Sequence, residues 1–92
     1  MIDIKKLSEG LKKLSGNDFI SAEREERQIG NTSSNMNYSS AFQARLAAKA
    51  LNIPVEDVTE LSIHEFATVT NEVFNFLFVG SATEIVEEQS KD

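Results

Sequence analysis

From Asp3 to Ser15 the apolar residues Ile4, Leu7, Leu11 and Leu14 recur at intervals of three, four and three, the stripe of an amphipathic helix. Asp3 stands where an N-cap belongs, and Lys5, Lys6, Lys12 and Lys13 lie off the stripe. Gly10 interrupts the pattern at a cost of about 1 kcal/mol relative to Ala. The stripe is narrow and lacks aromatics, so it suits packing on the domain better than lying on a membrane surface. Ser15-Gly16-Asn17-Asp18 reads as a helix stop followed by a new N-cap. Phe19 to Gln28 has few apolar anchors and many charges. It fits either a short exposed helix supported by Glu23 and Arg27 at i,i+4, or an extended connector. From Gly30 to Ser40, nine of eleven residues are Gly, Asn, Ser or Thr, which predicts a flexible polar loop.

Strong helix formers follow. Ala41 to Leu51 is rich in Ala and Leu, with Phe42, Leu46 and Leu51 able to share a face, Ser40 as cap and Asn52 as a left-handed terminator. Pro54 then suits the first turn of a short helix reaching about Leu61, with Val55, Val58 and Leu61 as its apolar positions. Ser62-Ile63-His64-Glu65 matches a capping box. It opens a helix whose stripe is Ile63, Phe66, Ala67, Thr70, Val73, Phe74 and Leu77, with Val69, Phe76 and Phe78 outside it. Near its end this helix is apolar over most of its circumference. Either it is the central helix of a bundle, or its second face meets another copy or a partner. Gly80 reads as its stop, and residues 81–92 as a frayed acidic tail. The predicted fold is all-α: a small bundle of four to five helices in one domain over residues 1–80, with a polar loop around residues 30–40 and a flexible tail over residues 81–92.

Composition narrows the function. The chain has 92 residues, no Cys and a net charge of −6. At this length a single core is thin, and association with a partner or another copy is worth expecting. Without Cys there is neither a disulfide framework nor a thiolate metal site. Residues 1–49 hold eight cations and six acids, a balance of +2, whereas residues 50–92 hold one cation and nine acids, a balance of −8. The acidic total argues against nucleic-acid binding, and no apolar run approaches the length of a membrane span or signal segment. His64 is the single histidine, and the adjacent acids Glu25-Glu26, Glu56-Asp57 and Glu87-Glu88 read as solvated faces rather than acid/base pairs. No catalytic, cofactor or metal constellation stands out, and an enzyme is the least supported class.

The stretch Arg45-Leu46-Ala47-Ala48-Lys49-Ala50-Leu51-Asn52-Ile53-Pro54-Val55-Glu56-Asp57-Val58, then Leu61-Ser62-Ile63-His64-Glu65-Phe66 and Val73-Phe74-Asn75-Phe76-Leu77, resembles the tail assembly chaperones of long-tailed bacteriophages and prophages. Asn52 stands where that pattern often has Gly, and Glu65-Phe66 supplies its acid-aromatic step. The resemblance covers roughly half the chain and rests on helix-turn-helix grammar. It implies a non-enzymatic, cytoplasmic protein of the bacterial host that binds the tape-measure protein and keeps it soluble while tube subunits assemble. The tail-tube protein is a second candidate partner, and self-association into a homo-oligomer is expected.

Joined to the residue pattern, this reading puts partner binding on Val69, Phe74, Phe76 and Phe78, together with the Leu7, Leu11 and Leu14 seam. Two other classes remain open from the sequence: a small acidic regulatory or DNA-mimic protein that occupies a basic partner, and a structural head-tail adaptor.

Overall fold

A computed structural model describes residues 2–79 of the chain. Among them are five α-helices, one 3-10 turn and no strand: α1 (Ile4–Lys13), α2 (Gly16–Gln28), the 3-10 turn (Met36–Tyr38), α3 (Ser40–Leu51), α4 (Val55–Thr59) and α5 (Ile63–Phe78). The expected all-α bundle is therefore present. The stop assigned to Gly80 and the acidic tail lie outside the described residues.

Local chemistry sets most boundaries. Asp3 caps α1, its carboxylate accepting from the backbone N–H of Lys5 at 2.9 Å and of Lys6 at 3.3 Å. The segment after Ser15 is helical, which removes the extended-connector alternative. Ser15 and Asp18 form a capping box, so α2 starts three residues earlier than the charge pattern suggested. At its far end Gly30 adopts φ +99, and the backbone bonds Gly30 N–H to Arg27 O and Asn31 N–H to Glu26 O close a Schellman turn. Asn52 closes α3 the same way, at φ 56 and ψ 48, with Ile53 N–H bonded to Ala48 O. The cap of α3 is Ser39 rather than Ser40, because the Ser39 hydroxyl accepts from Phe42 N–H at 3.2 Å. Pro54 precedes α4 as its N-cap, and the helix is shorter than expected. Ser62 caps α5, accepting from Glu65 N–H at 3.2 Å.

The centre of the bundle is α3, which packs against α1, α2, α4 and α5. Phe42, Ala44, Leu46, Ala47 and Ala48 are buried on it, and its small side chains let neighbouring backbones approach. One such close approach is at Gly10 of α1, where an added Cβ would collide with the Ala50 carbonyl, whose carbon would lie 2.8 Å away. Leu7, Leu11, Ala22, Met36, Val58, Val69 and Val73 complete the core.

One open alternative is removed here and one expectation changes. The last helix is not central, because α3 holds that place. Its buried stripe is also rotated from the expected one: Val69, Thr70 and Val73 are buried and Phe66, Phe76 and Leu77 pack on the core, whereas Ile63 is 89% exposed. Helices α1 and α3 both pack on α5, and that contact selects its inward face.

Candidate functional site

The polar segment after α2 is held at both ends by side chains. Asn31 Nδ2 donates to Glu26 Oε1 at 2.8 Å and to Ser39 Oγ at 3.0 Å, while Arg27 Nη1 donates to the Ser33 carbonyl at 2.8 Å. Gln43 Nε2, from α3, donates to the Asn37 carbonyl at 2.7 Å, and Met36 inserts into the core. The flexible loop expected from composition is thus a stitched segment. The side chains of Asn31, Ser33, Asn35 and Ser39 find backbone and side-chain partners within it or in the flanking helices, and one methionine anchors it.

This anchoring places Tyr38 against the end of α5. The Tyr38 ring lies 5.0 Å from Phe78 and 6.0 Å from Phe74, and the Phe74 and Phe78 rings, one helical turn apart, lie 4.5 Å from each other. Tyr38 is 65% exposed and Phe78 42% exposed. Aromatic residues grouped on a surface, with asparagines Asn71 and Asn75 beside them, form the strongest candidate binding surface among the described residues.

The expected partner-binding residues divide. Phe74 and Phe78 reach this surface together. Leu7 and Leu11 are buried in the core, as is Val69, so the fold leaves them no surface to offer a partner. Leu14 and Phe76 are half-buried and line a small apolar cavity of about 250 Å³ with Leu11, Phe19, Leu46 and Leu77. The correction has one cause: an apolar seam at helical spacing shows that a face is covered, and here α3 covers it. Tyr38 was missed because its neighbours in sequence are polar. The signal available was the i,i+4 pair Phe74 and Phe78, which needed a third ring to complete it.

A second cluster changes the reading of Glu25-Glu26. Glu26 is 2% exposed, and its Oε2 accepts from Arg45 Nε at 2.7 Å. Glu25 accepts from Arg45 Nη1 at 3.1 Å and from Lys49 Nζ at 3.2 Å. The pair therefore ties α2 to α3 rather than forming a solvated face. Burial pushes the Glu25 carboxyl up, but the hydrogen bonds and charges of Lys49 and Arg45 outweigh it, and the net direction is down. For Arg45, burial favours the neutral form and the two glutamates override it, so the guanidinium is held more firmly charged. These groups satisfy one another, which is structural chemistry.

His64 is exposed at the start of α5. Nearby, Glu65 contributes to a shallow pocket of about 170 Å³ with Ile2, Ile4, His64, Thr68 and Val69, and its Oε2 is buried without a hydrogen-bond partner. Among the described residues no group of three or more His, Cys, Asp or Glu is placed to hold a metal ion, and no helix is long and apolar enough to cross a membrane. Compared with known proteins, the chain matches no protein family, no curated protein and no solved structure.

Proposed function

We propose that the protein is a tail assembly chaperone of a phage or prophage, which binds the tape-measure protein and keeps that long helical protein soluble while tube subunits assemble around it. The observation that carries the reading is the exposed aromatic surface of Tyr38, Phe74 and Phe78. A helical client exposes apolar stripes, and flat rings cover such stripes with little loss of side-chain entropy. The stretch from Arg45 to Leu77, which carries the resemblance to such chaperones, contains the second half of the central helix, all of α4 and most of α5. The acidic charge of the chain favours a soluble complex.

The test is co-expression with a tape-measure protein from the phage or prophage that carries the chain. Wild-type protein is expected to hold that client in the soluble fraction and to co-purify with it. The double variant Tyr38→Ser, Phe78→Ser removes two exposed rings and should lose the client while keeping wild-type helicity by circular dichroism. Retention of the client by that variant sinks the proposal.

A further inference from the structure

Helix α5 has a second apolar stripe that the other described residues leave open. Ile63, Ala67, Phe74 and Phe78 fall within about 60° of one another around a helix of 3.6 residues per turn. Ile63, Ala67 and Phe78 are exposed and Phe74 is half-buried. Tyr38 and the exposed Ala41 flank the stripe on the side of α3. Among the described residues the only charged side chains of α5 are Glu65 and Glu72, which point more than about 100° away from the stripe's centre.

We infer that this stripe is the contact surface for a second copy of the chain, with the two α5 helices packed antiparallel about a two-fold axis. The pattern is self-complementary. An axis passing between Thr70 and Asn71 sets Ile63 against the partner's Phe78 and Ala67 against the partner's Phe74. Each large ring then meets an aliphatic side chain, and the smallest residue of the stripe faces a phenyl ring. Asn71 lies beside the axis, where two copies of its amide exchange hydrogen bonds. Isologous contact requires a surface that tolerates its own copy. An uncharged stripe does so even on a chain of net charge −6, whereas a partner selected by charge would be drawn to the acidic and basic faces instead.

The stripe spans about 22 Å along the helix, so the interface sits at the small end of specific contacts and association in the micromolar range is expected. The inference deepens the chaperone reading, since dimer and client would compete for Phe74 and Phe78. It is nevertheless tested without a client, on the purified protein alone, so the two can fail separately.

Sedimentation velocity between about 1 and 200 µM should show a monomer of 10.2 kDa giving way to a dimer. Ala67→Glu places a charge at an exposed helical position opposite the partner's Phe74, and it should weaken association at least about thirtyfold with circular dichroism unchanged. Asn71→Lys, at another exposed position, provides the same readout should Ala67→Glu perturb folding. Because the chain has no cysteine, single cysteines report the register. Asn71→Cys should form a disulfide dimer on mild oxidation. Ile63→Cys should not, because its two copies sit at opposite ends of an antiparallel pair. A monomer at every concentration, a dimer indifferent to both charge substitutions, or efficient cross-linking through Ile63→Cys overturns the inference. A monomer that still binds the tape-measure protein would assign the stripe to the client alone.

Discussion

Gly10 looks like a helix defect and is a packing requirement. An isolated helix gains about 1 kcal/mol when Gly becomes Ala, yet here the new methyl group would overlap the Ala50 carbonyl of α3. Gly10→Ala is therefore expected to destabilise the fold by about 1–3 kcal/mol in urea unfolding, because α1 must move off the central helix. Glu26 is a second position where the outcome departs from surface intuition. Glu26→Ala removes the acceptor for both Arg45 Nε and Asn31 Nδ2, leaving a mostly buried guanidinium short of a partner. A loss of about 3 kcal/mol is expected, in contrast to near-neutral behaviour at Glu23, which is only half-buried and pairs with Arg27 within its own helix. Glu25 sets a pH dependence. Its carboxyl is lowered in the folded state, so its contribution is complete above the usual glutamate range and is lost as pH falls through the lowered value. The stability gap between wild type and Glu25→Gln should thus be largest near neutral pH and close on acidification. Exposed-looking acids and a helix-breaking glycine were visible in the sequence. Their partners, 19 and 24 residues away for Arg45 and Lys49, were not, because nothing local records which helix lies across from them.

At the scale of elements, the helix ends follow from side chains a few residues apart, which is why Asp3, Asn52 and Ser62 could be assigned to caps and terminators before any fold was known. Asn52 holds a left-handed backbone, so Asn52→Ala should cost about 1 kcal/mol while Asn52→Gly is tolerated. The α2 region was ambiguous for a physical reason. Its hydrophobic stripe is weak, and its helix is secured instead by the Ser15–Asp18 box and the salt bridges to α3. The final helix shows the limit of periodicity most clearly. A helix with apolar residues over most of its circumference supports more than one inward face, and contact with α1 and α3 decided for Val69 and Val73. Phe76 belongs to that inward side, lining the cavity with Leu11 and Leu14. Substituting it tests stability, whereas Phe78 and Tyr38 test binding.

For the whole molecule, a thin core and an open aromatic face go together. A bundle of this size has few elements to wrap around α5 once α3 occupies the centre. If the free stripe is covered by another copy, the melting temperature should rise with protein concentration, since only the folded chain dimerises. Ala67→Glu should abolish that rise, a measurement by differential scanning calorimetry over a hundredfold range of concentration. What the amino-acid sequence by itself determined is the helical class, the helix ends at Asp3, Asn52 and Ser62, and the presence of surplus apolar surface on the last helix, because spacing and capping act within a few residues. Only the tertiary structure decided that α3 is central, that Glu26 is buried, that Leu7, Leu11 and Val69 are core, and that Tyr38 joins Phe74 and Phe78 outside. Each of those depends on which helix faces which, and that is settled by packing between segments far apart in the chain.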